Sequence, residues 1–371
     1  MQYQIFLQMI ILFLNILLFT LLVYWISFYG AYALWEKKNR NNKESLVPIS
    51  VIISCKNAEK TIEKTIQSIL AQKYFDFELI IIDDFSSDRT ISIIQQIQDS
   101  RIVLLSAEVN IAGKKAAISQ AIQYAKHEIL LFTDADCIPD STEWIESMAN
   151  TMLHKPETEV VLGFGPMYKR NTWINKFARY ETWLTAMQYF SYAIFKIPYM
   201  GVGRNLMYKK SAFMRVNGFN QHEDMASGDD DLFITSVANR HNIAINMDAD
   251  AFVYSEAKDQ LTTFFRQKTR HISTSVRYKR SHQILLSIFA FTQAGIYLVL
   301  ILGLIMNTFH LHAIFLILIS KWMVQTFLHY RWLKRLDSKD LWLFFPILDI
   351  LLSVYYFILS CYSLFRKKNT W

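Results

Sequence analysis

Cysteine is scarce in this chain: Cys55, Cys137 and Cys361 are the only three in 371 residues. None of their spacings matches a zinc site or a disulfide framework, which excludes a metal-stapled or disulfide-rich fold. Two of them fall at expected strand ends, where small polarizable packing residues in a reducing cytoplasm are the ordinary reading. Charge is missing over long stretches as well. No Asp, Glu, Lys or Arg precedes Glu36, and none occurs from Gln283 to Ser320. Internal repeats and low-complexity tracts are absent.

The composition itself is mixed. Hydrophobic residues make up 52% and aromatic residues 15% of the chain, too apolar for an ordinary soluble protein, while 19% charged residues is too many for a bundle of spans alone. One soluble domain with membrane segments at its ends follows. The net charge of +7 gathers beside apolar runs, at Lys37, Lys38, Arg40 and Lys43, at Arg277, Lys279 and Arg280, and at Arg366, Lys367 and Lys368. That placement suits anionic lipid headgroups and argues against nucleic acid.

Ile5 to about Ile26 is long enough to span a bilayer and lacks the basic leader of a cleavable signal, so residues 1–35 read as a retained anchor. The basic linker 36–47 then places the next domain in the cytoplasm by the positive-inside rule. Gln283 to Ser320 accommodates two helices turning near Asn307 to His312. A last apolar run, Leu341 to Phe365, contains Pro346 and Asp349; its length favours a full span, which would leave Arg366 to Lys368 outside. Residues 281–371 are thus expected to form two to three spans. Lys321 and Asp349 are the charges within these runs, too few for a translocation path.

Between the anchors, from Pro48 to about Asn217, β-branched runs alternate with helical stretches. Ile49 to Ser54, Glu78 to Asp83, Ile102 to Leu105 and Glu128 to Thr133 read as buried parallel strands. Glu59 to Gln72, Asp88 to Gln98 and Lys114 to Lys126 read as the helices between them, giving a doubly wound, mostly parallel α/β sheet. Asp134-Ala-Asp136 closes the fourth strand. Two carboxylates at the carboxyl end of a buried strand are suited to hold Mg²⁺ or Mn²⁺ against a diphosphate. Asp84, just past the second strand, can accept hydrogen bonds from a nucleoside, while Asp88 caps the next helix. Gly113 turning into Lys114 at a helix start makes an anion site, with Lys115 a solvated neighbour.

These pieces occur in the order of a known family. Pro48 to Glu59, Asp83-Asp84, Gly113-Lys114, Asp134-Ala-Asp136, Gly228-Asp229-Asp230-Asp231-Leu232 and Gln267-Lys-Thr-Arg270-His271 resemble the family 2 inverting glycosyltransferases over about Pro48 to Tyr278. The resemblance implies a GT-A nucleotide-diphospho-sugar transferase domain, here 48–280, with interfacial helices near 173–197 and 260–278. It implies a divalent cation at Asp136 and Asp134, nucleotide-sugar contacts from Asp84, Lys114, Asp134, Gln267 and Arg270, and a base at Asp229 with Asp230 in reserve. Gly201 and Gly203 resemble the glycine-rich turn on the acceptor side, and His271 stands where the family has Trp. The family's usual Glu-Asp is Gly228-Asp229 here.

The implied activity is metal-dependent transfer of a sugar, UDP-linked, to a lipid-linked or glycan acceptor at a bacterial inner membrane. A processive polysaccharide synthase and a non-catalytic sugar-nucleotide-binding assembly protein are the alternatives. Trp173, Phe177, Tyr180, Trp183, Leu184 and Met187 recur at helical spacing beside Lys176 and Arg179, which fits a buried helix face or an interfacial helix.

Overall fold

The computed structural model describes residues 2–35, 47–108, 113–225, 227–257, 260, 262, 264–265, 268–269 and 273–365. The basic clusters at 36–43 and 366–368, and the residues Gln267, Arg270 and His271, lie outside them. The chain divides into two compact units, one of Met1–Trp35, Thr172–Ser191 and Gln260–Thr370, the other of Glu36–Asn171 and Tyr192–Asp259.

Among the described residues the first unit consists of α1 (Gln2–Phe28) and further helices named below in chain order. The second unit begins with β1 (Ile49–Cys55), α2 (Ile62–Leu70), β2 (Phe77–Asp83), α3 (Thr90–Gln96), β3 (Ile102–Ser106), α4 (Lys114–Tyr124) and β4 (Ile129–Asp134). It continues through β5 (Cys137–Pro139), α5 (Trp144–Leu153) and β6 (Val160–Leu162). After α6 (Trp173–Ile194) of the first unit come β7 (Leu206–Lys209), α7 (Lys210–Arg215), α8 (Asp231–Val237), β8 (Ile243–Ile245) and β9 (Val253–Ser255). The chain then returns to the first unit in α9 (Arg280–Ile305), α10 (Leu311–Arg335) and α11 (Phe345–Phe365).

The main sheet has the order β3-β2-β1-β4-β7-β6-β8, and β5 pairs with β9 in a second, two-stranded sheet. Strands β3, β2, β1 and β4 are parallel; β7 runs antiparallel to both β4 and β6. Ile49, Val51, Ile53, Leu79, Ile81 and Leu131 are fully buried, because strands covered on both faces need unbroken apolar runs rather than alternation. The chain leaves β1 toward β2 on one side and reaches β4 on the other. That reversal of strand order opens a crevice at the strands' carboxyl ends. There Ser54 of β1 lies beside Asp134 of β4, and Cys55 beside Asp83 of β2.

Within the first unit, Gln4–Tyr32, Arg280–Ile305, Leu311–Arg335 and Lys339–Leu359 are each long and apolar enough to cross a membrane. Their outer faces carry bare apolar side chains such as Phe19 (67% exposed), Ile305 (74%) and Phe327 (81%), as lipid-facing surfaces do. Pro346 is the second residue of α11, where a helix has a free N–H position to give up, so it starts the helix rather than breaking it. The aromatic stripe of α6 is core from Phe177 onward, while Trp173 at its start is exposed. Tyr180, Trp183 and Met187 are fully buried, and Phe345 packs edge-on against both aromatic rings. Arg179 does not face headgroups: it makes a bidentate pair with Asp340, both bonds 2.7 Å.

Candidate active site

Asp134 ends β4, and Asp136 follows in the tight connection to β5. Thr65 Oγ1 donates to the Ala135 carbonyl (3.1 Å) and fixes that turn from α2. Donor atoms of Asp134, Asp136 and Cys137 all lie within 4.8 Å of one another, and both carboxylates are partly open to solvent. Two accessible hard oxygen ligands fit Mg²⁺ or Mn²⁺, which complete their shells with water and phosphate oxygens. The Cys137 thiol is buried, and burial together with the two aspartates pushes its pKa well up, so it remains a thiol and donates to Asp136 Oδ1 (3.5 Å). Cys55, buried near Asp83, is pushed up to about 12 for the same reasons.

Gly113 precedes α4 with φ of +118°, a backbone shape that L side chains rarely adopt. This turn delivers Lys114 into the crevice. Its Nζ lies 2.9 Å from Asp134 Oδ1 and 2.9 Å from Asp229 Oδ2, so one ammonium joins the carboxylate of β4 to that before α8. Partial burial works against the charge of Lys114, but Asp134, Asp229 and Asp230 outweigh it and hold its pKa well above the ordinary value.

Asp229 keeps a 12% exposed carboxylate facing Lys114. Asp230 serves the backbone: its Oδ1 accepts from Asp231 N–H (2.8 Å) as the cap of α8, and its Oδ2 accepts from Gly203 N–H (3.0 Å). Desolvation and the neighbouring charges of Asp229 and Asp231 push its pKa up to about 7, with Lys114 and the Gly203 bond pulling the other way. Gly228 explains the departure from Glu-Asp. Its φ is +104°, and a Cβ there would lie 2.7 Å from Leu232 Cδ1, so a glutamate here would be strained and would displace the Leu232 side chain.

Other expected residues make contacts of their own. Asp84 is buried, accepts from Gly113 N–H (3.2 Å) and lies 3.8 Å from Lys56 Nζ; it ties the end of β2 to the start of α4. Lys115 is not a solvated neighbour, because its half-buried Nζ donates to the His222 carbonyl. Gly203 is at the centre, its missing Cβ falling 3.6 Å from Asp229 Oδ2 and 3.7 Å from Lys114 Nζ. Gly201 instead packs among Leu162, Leu206 and Ile234. Arg204 and Asn205 lie inside the same turn, where the sequence signal is carried by the glycines alone. Asn205 is a fully buried junction that accepts from Trp144 Nε1 (3.1 Å) and donates to the carbonyls of Phe164 (2.7 Å) and Ala251 (2.6 Å).

Comparison with known proteins adds a family match over part of the chain. Residues 50–216 match the family described as glycosyl transferase family 2. The poly-β-1,6-N-acetyl-D-glucosamine synthase of Staphylococcus aureus (strain COL) is 33% identical over 129 residues, 34% of this chain and 31% of that protein. The UDP-Glc:α-D-GlcNAc-diphosphoundecaprenol β-1,3-glucosyltransferase WfaP of Escherichia coli is 35% identical over 113 residues, 30% of this chain and 43% of that protein. The matched segments thus span less than half of either relative. Among solved structures, the mannosyltransferase PcManGT from Pyrobaculum calidifontis, in complex with GDP-Man and Mn²⁺, aligns with TM-score 0.59 at 17% identity, over 94% of this chain and 99% of that one. At that identity the likeness establishes the fold, which is of the GT-A type. Over residues 50–216 the chain thus resembles a family 2 glycosyl transferase.

Proposed function

We propose that the chain is a membrane-bound, metal-dependent inverting glycosyltransferase that moves a sugar from a nucleotide-diphospho-sugar, UDP-linked, to a lipid-linked or polysaccharide acceptor at the cytoplasmic membrane face. The observation that carries the reading is the single Lys114 ammonium shared by Asp134 and Asp229, which brings a carboxylate of the cation site and a second carboxylate to one point in the crevice. Asp134 and Asp136 would hold the cation, and its charge would offset that developing on the departing diphosphate. Asp229 takes the proton of the acceptor hydroxyl as that oxygen attacks the anomeric carbon, a role worth about 10²–10⁴-fold for a carboxylate within hydrogen-bond reach. Asp230, engaged by two backbone N–H groups, positions Asp229 and Gly203 rather than acting on substrate.

Attack from the face opposite the diphosphate inverts the anomeric centre. Lys114 has two partners before donor binds and gains a third anion when the diphosphate arrives, so its favourable charge is set in advance. The four apolar helices support membrane attachment, and the basic residues from Lys37 to Lys43 support a cytoplasmic domain. The relative named for a diphosphoundecaprenol acceptor and a UDP-Glc donor supports the lipid-linked, UDP-dependent form.

The test is donor hydrolysis and transfer by detergent-purified protein, screening UDP, GDP and CMP sugars with Mn²⁺, Mg²⁺ or EDTA. Metal-dependent release from one donor, lost in Asp136→Asn, is the expected result. Silence with every donor and acceptor, together with no UDP binding, would sink the reading.

A further inference from the structure

Arg204 follows Gly203 directly, yet no carboxylate among the described residues pairs with it. Its Nη1 donates to Ser255 Oγ (3.0 Å), and its Nε is buried without a hydrogen-bond partner. The space it occupies depends on Gly165, where a Cβ would lie 2.3 Å from Arg204 Nε and 2.7 Å from its Cδ. Gly163 makes the same allowance for Asn205, whose side chain would be 2.4 Å from a Cβ at 163. Ser255 is the register partner of Cys137 across β5 and β9, and Cys137 is the residue after Asp136. The guanidinium therefore stands beside the turn that carries the two cation-binding carboxylates.

A buried N–H with no acceptor calls for a partner, and a planar guanidinium next to a cation site matches a phosphoryl group through parallel N–H···O bonds. We propose that Arg204 is a phosphate-binding residue of the crevice, donating to an oxygen of the same phosphoryl group that the cation at Asp134 and Asp136 holds. The inference rests on the transferase reading above. Two molecules carry that chemistry: the nucleotide-sugar diphosphate and a phosphorylated lipid acceptor.

The experiment is calorimetric titration of the detergent-solubilised full chain with UDP plus Mn²⁺, and separately with farnesyl phosphate plus Mn²⁺, for the wild type, Arg204→Gln and Arg204→Lys. Arg204→Gln is expected to weaken one probe by about 10- to 100-fold, the range of a lost charge-assisted hydrogen bond. Loss of UDP affinity assigns the donor diphosphate; loss confined to farnesyl phosphate assigns the acceptor. Arg204→Lys keeps a cation near Ser255 but not the fork, and is expected to lie between the two; it decides the matter if Arg204→Gln does not fold. Both probes binding both variants as tightly as the wild type would overturn the proposal and leave Arg204 a prop for Ser255. A wild type that binds neither probe would overturn the transferase reading and this proposal with it.

Discussion

Replacing Asp349 by Leu removes the centre of the polar cluster inside the apolar helices. Its carboxylate accepts from Lys321 Nζ (2.6 Å), Gln293 Nε2 (2.6 Å), Gln325 Nε2 (3.0 Å) and the Tyr297 hydroxyl. The side chains of Lys321 and Asp349 are 1% and 3% exposed. With an effective dielectric of about 20, two unit charges at that distance attract by about 6 kcal/mol. Desolvation of both ions offsets most of this, so the intact pair adds little net stability. Losing one member is another matter. Asp349→Leu strands an ammonium 5.5 Å from the Trp25 ring and 5.0 Å from the Tyr297 ring, and leaves the Gln293 and Gln325 amides unanswered. The expected cost is about 3–5 kcal/mol for Asp349→Leu and similarly for Lys321→Met, while the double variant falls within about 1–2 kcal/mol of wild type. Reversible unfolding in mixed micelles, run as a double-mutant cycle, measures the coupling. A single variant costing under about 1 kcal/mol, or a double variant no better than the worse single, would refute the reasoning.

Asp229→Asn is expected to lower transfer by about 10²–10⁴-fold while leaving UDP affinity within a few fold; steady-state kinetics with radiolabelled donor reads this, and turnover within tenfold of wild type would remove Asp229 as the base. Asp230 titrates near pH 7 in the folded chain against 3.8 as an isolated carboxyl, so the folded state holds its proton more tightly. Its contribution favours folding at low pH and is lost as pH rises toward 7. Asp230→Asn, which can still cap α8, is therefore expected to gain in melting temperature relative to wild type between pH 5 and pH 8; a difference that does not change with pH contradicts this. Gly228→Glu, restoring the family's usual acid, is expected to destabilise by about 1–3 kcal/mol through the positive φ and the Leu232 contact, and an unshifted melting temperature would show that the backbone there can relax.

Which parts of this molecule its sequence reveals depends on how far apart the interacting residues are along the chain. The strands were legible because β1 and β2 are buried on both faces and their unbroken Ile and Val runs have no other stable use. The helix α2 starts at Ile62 and not at the expected Glu59, since the N–H groups of Asn57, Ala58 and Glu59 are taken by the side chains of Ser86, Thr90 and Asp88 in another loop. Asp84 also accepts from an N–H 29 residues on, a contact with no local signature. Arg179 fits a buried helix face as well as an interfacial one, because periodicity shows an apolar face of α6 but not that Asp340, 161 residues later, meets it. The same limit governs the crevice. Gly113-Lys114 announced an anion site, but the approach of Asp229 depends on Asp230 reaching back 27 residues to Gly203, and that bond has no local signature. Carboxylates brought together in this way repel unless a cation divides them, so a side chain that links them, Lys114 here, marks where a bound ion and a diphosphate would act.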